Sequence, residues 1–228
     1  MATTKTSTSQ PGKQSGKQPP APPTLVLLVR HGQTPTTGKL LPGRAPGLHL
    51  ADTGLEQARR AAERLGVLDR VDAVYASPLE RTRETAAPIA AARNLKVQID
   101  KGLLECDFGQ WTGAELNQLM KLPEWNTVQR APSTFTFPGG ESFTAMQSRI
   151  VGAIDRLRER HQGGVIVCVS HADPIKAAVA HALGTHLDLF QRIVISPCSV
   201  SAIAYHAGGP VVLTVNSTGG SLSELRPS

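Results

Sequence analysis

Two imidazoles, two guanidinium groups and one carboxylate stand at positions in the 228-residue chain from which they could act together. Arg30-His31-Gly32-Gln33-Thr34 follows an uncharged aliphatic run, Arg81 lies in Ser77-Pro78-Leu79-Glu80-Arg81-Thr82, Glu105 opens Glu105-Cys106-Asp107-Phe108-Gly109, and His171 follows Ser170. An arginine beside a histidine supplies a bidentate anion clamp next to a nitrogen nucleophile, and the glycine after it lets backbone approach a ligand closely. That combination suits a phosphate ester. Singly, each residue has a plainer reading: a surface Arg-His pair, a helix-surface arginine, a solvated loop acid, a capped core histidine. Their weight comes from falling into one pattern.

The pattern lies in the elements that must carry them. Thr24 to Val29 is charge-free and β-branched, as in a strand buried on both faces, and further strands are expected at Val71 to Ala76, Lys96 to Asp100 and Val165 to Val169. Each candidate residue follows one of these strands by a few positions, and in an open α/β sheet ligands bind beyond the carboxyl ends of the strands. Helices starting after Ser77 and Ser170 would point free N–H groups and partial positive charge at the same pocket, so its natural occupant is an anion. Thr53-Gly54-Leu55-Glu56 has capping-box spacing ahead of a stripe of Leu55, Ala58, Ala62 and Leu65. Ser77 with Glu80 makes a second box, with Pro78 at the first helical position and Pro88 as a kink or break. Ser142 caps a long helix with Phe143, Met146, Ile150, Ile154 and Leu157 on its buried side, and Ile175, Val179 and Leu183 line the helix after His171, with Gly184 past its end. Val200 to Tyr205 and Val211 to Val215 read as a hairpin through Gly208-Gly209-Pro210. The alternation predicts an α/β fold over residues 24–215, between a disordered tail at 1–23 and a polar, flexible tail at 216–228. The loop from Pro35 to Ala51 and the partly helical segment from Gln110 to Phe137 are left to shape specificity.

Composition narrows the function. The net charge is +6, but Lys5, Lys13 and Lys17 of the acid-free leading segment account for three of those charges, and no basic run interleaves with aromatics, so a nucleic-acid partner is not expected. No apolar run approaches the roughly 20 residues of a membrane helix and no secretory signal is visible, which predicts a soluble, cytoplasmic protein without a membrane partner. Cys106, Cys168 and Cys198 are too scattered for a disulfide framework or a zinc site. His49, His161, His181, His186 and His206 have no motif around them and read as surface or packing residues.

The four motifs together closely resemble the signature of the histidine phosphatase superfamily, which includes the phosphoglycerate mutases, and the resemblance runs from Thr24 to about Val215. Within it the chain is similar to an actinobacterial group labelled phosphomutases. The resemblance implies a three-layer fold: a mostly parallel sheet with one antiparallel edge strand and helices on both faces. It implies that His31 is the nucleophile that becomes phosphohistidine, that Arg30, Arg81 and His171 hold the phosphoryl oxygens, and that Glu105 protonates the leaving alkoxide, with neither metal nor cofactor. Gly32, Gln33, Thr34, Thr37 and Gly43 are the expected substrate contacts. Many members carry a phosphate-binding asparagine shortly after the nucleophile; this chain has Pro35-Thr36-Thr37-Gly38 there, which leaves Thr34 or Thr37 to replace it. The segment between Glu105 and His171 is shorter than in the mutases. The expected activity is therefore metal-independent hydrolysis of a small phosphorylated metabolite, by a monomer or homodimer. The alternatives are a phosphomutase and a non-catalytic module that only binds phospho-ligands.

Overall fold

The computed structural model describes residues 22–220 and residue 222. Six strands form one sheet: β1 (Thr24–Arg30), β2 (Ala73–Ala76), β3 (Val97–Ile99), β4 (Val165–Ser170), β5 (Val200–His206) and β6 (Gly209–Ser217), in the order β3-β2-β4-β1-β5-β6. β1 runs parallel to β4, and β2 runs parallel to both β4 and β3; β5 runs against β1, and β6 against β5. The antiparallel edge is thus a hairpin, with Pro210 in the outermost strand, where a missing ladder donor costs least.

Side chains alternate across a strand, so β1 contributes to two cores at once. Val26 and Leu28 pack with α5 (Phe143–Arg160) and α6 (Ala172–Ala182), while Leu25, Leu27 and Val29 pack with α1 (Asp52–Leu65) and α2 (Glu80–Ala91). Helices therefore cover both faces, which explains why the central strands carry no charge until their ends. β1 and β4 are neighbours whose following helices lie on opposite faces, and this divergence opens the crevice at their carboxyl ends. Two short helices, α3 (Leu116–Leu119) and α4 (Pro123–Arg130), sit in the segment expected to be partly helical. They arch over the crevice on an aromatic base of Trp111, Phe135 and Phe137.

Several local expectations are corrected. α1 begins at Asp52 behind Ala51 and uses no side-chain cap, and Leu55 is 52% exposed. The reason is Gly54, which abuts the loop after His31; a Cβ there would stand 2.0 Å from the carbonyl oxygen of Gln33. That contact turns residue 54 inward and sets the buried stripe at Gly54, Ala58, Ala61, Ala62 and Leu65. α2 starts at Glu80, not at Pro78, because Ser77 is committed elsewhere, and it passes Pro88 without a break. Ser170 closes β4 instead of capping α6; its hydroxyl donates to the Leu103 carbonyl at 2.7 Å. α6 ends at Ala182, and Leu183, in the cap before the left-handed Gly184, faces solvent. β6 starts at Gly209 and runs to Ser217, so Asn216 and Ser217 belong to the sheet. Apart from Pro22 and Pro23, the expected N-terminal tail lies outside the described residues, as does most of the C-terminal one.

The Gly54 contact yields a test. Gly54→Ala is expected to lower unfolding stability by about 1–3 kcal/mol, the usual cost of overpacking, and to reduce turnover because the displaced backbone carries His31. Urea unfolding and steady-state rates measured on one preparation check both effects.

Candidate active site

His31 follows the last residue of β1, and its backbone N–H donates to the Ser170 carbonyl at 3.0 Å, so the chain ends of β1 and β4 are tied. Its ring is almost fully buried, and Nδ1–H donates to the carbonyl of Gly32 at 2.8 Å. That bond places the proton on Nδ1 and leaves Nε2 as a free lone pair. Gly32 is held in turn by its N–H, which donates to Thr85 Oγ1 of α2 at 3.0 Å. Burial first, then the Arg81 and Arg30 charges, push the His31 pKa well below its usual 6.5, so the imidazole stays neutral.

The His171 ring lies edge-on to His31, 5.2 Å between centroids. Its Nε2 is hydrogen-bonded with Ser77 Oγ at 2.9 Å, which fixes the orientation of the ring. Burial, followed by the charges of Arg81 and Arg30, pushes its pKa well down too. Arg81, fully buried in the first turn of α2, donates through Nη2 to the Gly43 carbonyl at 2.7 Å, and Arg30 donates through Nη1 to the Ile195 carbonyl at 2.7 Å. Beyond these bonds, Arg30 Nε, Arg81 Nε and Nη1, and His171 Nδ1 are buried without a partner among the described residues. Buried polar atoms are normally satisfied, so this group of unpartnered atoms beside His31, three of them on guanidinium groups, is suited to an anion.

Glu105 lines a cavity of about 430 Å³ together with Arg30 and His31, while Arg81 and His171 are fully buried and do not reach its wall. Burial and the neighbouring Asp173 charge push its pKa up to about 7, against the pull of the Cys106 N–H on Oε1 and of Arg81 and Arg30. Its backbone is braced by residues the sequence reading left unassigned. Arg149 of α5 donates to the carbonyls of Gly102, Leu104 and Glu105, while Arg44 donates through Nε to the Glu105 carbonyl at 2.8 Å. Glu141 accepts from both arginines and joins them. The Pro-Gly-Gly-Glu-Ser turn holding Glu141 is visible in the sequence as a turn, but nothing there reveals that its carboxylate reaches back to the acid.

The expected substrate contacts divide. Thr34 and Thr37 line the cavity and are bonded to each other, Thr34 N–H donating to Thr37 Oγ1 at 2.9 Å. Gly32 and Gly43 act through their carbonyls on His31 and Arg81. Gln33 is exposed, with its N–H on Gln57, and does not line the cavity. Of the histidines set aside, His161 meets the Tyr75 hydroxyl at 2.9 Å and His49 contacts Glu84; neither reaches this cavity. Among the described residues no cluster of His, Cys, Asp and Glu has the makings of a metal site, and no helix is long and apolar enough to cross a membrane.

Comparison with known proteins matches residues 26–218 to the model of the histidine phosphatase superfamily (branch 1). The chain belongs to that superfamily. It is an enzyme of this group, with relatives named as phosphatases. It is 33% identical over 198 residues to phosphoserine phosphatase 1 of Hydrogenobacter thermophilus, covering 85% of this chain and 92% of that one. It is 35% identical over 201 residues to a bifunctional protein of Mycobacterium tuberculosis, covering 86% of this chain but only 55% of the relative. Among solved structures, a phosphoserine phosphatase mutant of Entamoeba histolytica in complex with phosphoserine superposes with a TM-score of 0.76 at 25% identity, over 86% of this chain and 98% of that one.

The orphaned donors make a prediction that needs no substrate. Inorganic phosphate or vanadate should raise the melting temperature, and Arg81→Met should abolish the rise while the ligand-free variant melts as high as the wild type or higher. Removing a buried charge recovers its desolvation cost, which offsets the loss of the hydrogen bond to the Gly43 carbonyl, worth about 1.5–3 kcal/mol for a charged donor. Scanning calorimetry with and without anion measures both.

Proposed function

We propose that the protein is a metal-independent phosphomonoester hydrolase that works through a phosphohistidine on His31, with a small phosphorylated metabolite as its substrate. The observation that carries this is the free Nε2 of His31 beside a group of unpartnered buried atoms, with a carboxyl group held near pKa 7 on the same cavity.

Arg30, Arg81 and His171 bind the phosphoryl oxygens and neutralise charge as it shifts, which needs little reorganisation because the donors are already in place. Nε2 of His31 attacks phosphorus as the ester P–O bond breaks, and Glu105 passes its proton to the departing alkoxide. The Nδ1–H stays hydrogen-bonded to the Gly32 carbonyl, which stabilises the phosphorylated ring. In the second step the Glu105 carboxylate takes a proton from water, the water oxygen attacks phosphorus, and the N–P bond breaks to give inorganic phosphate and neutral His31. A pKa near 7 suits a group that must be acid in one step and base in the next. Transfer to water, not to a second hydroxyl, is favoured by the short segment between Glu105 and His171 and by the phosphatase names of the relatives. The buried, free cysteines support a cytoplasmic location, where thiols stay reduced.

His31→Ala is expected to abolish the phosphoenzyme. Glu105→Gln should lose about 10²–10⁴-fold with an alkyl phosphate and far less with a phenol ester whose leaving group needs no proton. Quenched-flow labelling with both esters decides; equal losses would remove Glu105 from the acid role. The pH profile follows from the same groups. For an alkyl ester, kcat/KM should fall above about pH 7 as Glu105 loses its proton, and should hold well below pH 6.5 because His31 remains neutral there. In Glu105→Gln the fall above pH 7 should vanish.

A further inference from the structure

We infer that the leaving-group half of the cavity is built for the phosphate ester of an uncharged, largely apolar alcohol, aryl or alkyl, and against esters of amino or hydroxy acids. This rests on the phosphoryl-transfer reading above and extends it to the other side of the scissile bond.

Beyond the phosphoryl end the walls are Leu40, Leu41, Trp125, Val128, Phe137 and Ile193, drawn from the Pro35 to Ala51 loop, the α4 segment and the stretch before β5. Apolar character continues to the mouth, where Val194 is 65% exposed. The charged residues on the lining are Arg30, Glu105, Asp173 and Lys176. Arg30 is committed to the phosphoryl oxygens. Lys176 Nζ already donates to Asp173 Oδ1 at 3.3 Å and Gln191 Oε1 at 3.0 Å, and lies 5.9 Å over the ring of Phe190. Lys176 is thus already engaged by a carboxylate and an amide, with one N–H left, and Asp173 stands beside it to oppose a second carboxylate. A carboxylate brought here would lose its water for that one contested partner, which is a costly way to bury a charge. Phosphoserine, the ester in the names of two relatives, would have to share Lys176 with Asp173. Besides Thr34 and Thr37, Gln129 and Gln191 are the neutral polar side chains on the lining, enough for one hydroxyl or carbonyl on an otherwise apolar body.

The test compares rates of phosphate release from 2-phenylethyl phosphate, a series of n-alkyl phosphates from ethyl to hexyl, phosphoserine and 3-phosphoglycerate. All leave as poor alkoxides, so the differences report on the pocket. We expect kcat/KM for the phenylethyl ester to exceed that for the two carboxylated esters by about 100-fold or more. Along the alkyl series it should rise about threefold per methylene. Val194→Arg, which adds a cation at the exposed mouth and leaves the buried walls alone, should narrow the phenylethyl to phosphoglycerate ratio at least about tenfold. Carboxylated esters turned over as well as the phenylethyl ester, or a flat alkyl series, would overturn this inference and leave the phosphohistidine reading standing. Failure of every ester, with no label on His31, would overturn both.

Discussion

Everything around the crevice depends on one unfavourable arrangement: two guanidinium groups held in a largely dry site without a carboxylate partner. Arg30 and Arg81 form no ion pair among the described residues, and each is fixed by a single backbone carbonyl. Burying cations in this way costs stability, so the surrounding structure must over-determine their positions. The β1 and β4 termini, the first turn of α2 and the Gly43 loop do this together. A phosphoryl group, the occupant proposed above, would supply the acceptors these guanidinium groups lack and offset that cost.

Burial moves the pKa values of His31 and Glu105, the proposed nucleophile and acid, in opposite directions. Desolvation drives both His31 and Glu105 toward their neutral forms, so the histidine loses its proton readily and the carboxyl group keeps its own. Cations sharpen this at His31 and temper it at Glu105, while Asp173 tips the carboxyl group back upward. One water-poor site thereby holds a base and an acid side by side without neutralisation between them.

Much of this was legible in the sequence because the central strands are charge-free up to their ends, so polar residues a few positions beyond each are candidates for the crevice. His31, Arg81, Glu105 and His171 were singled out on that ground. Ser77 misled, because a serine before Pro78 looks like a helix cap and its true partner is a histidine 94 positions away. Leu55 misled because periodicity assumes that large residues face inward, whereas a backbone contact at Gly54 set the rotation of α1. Arg44, Glu141 and Arg149 were invisible for a different cause: they act on backbone carbonyls, which carry no residue type to match.

The two ends of the arch over the cavity are stitched side by side. Gln110 N–H donates to the Pro138 carbonyl at 2.9 Å, Glu141 N–H donates to the Asp107 carbonyl at 2.8 Å, and a Cβ on Gly109 would come within 2.2 Å of the Pro138 oxygen. The intervening stretch therefore leaves and rejoins the scaffold at a single point, and doubling its length would add only about 0.6 kcal/mol of closure entropy. Such a stretch can change in length at little entropic cost to the sheet beneath it, and with its length would change the walls it lends to the cavity.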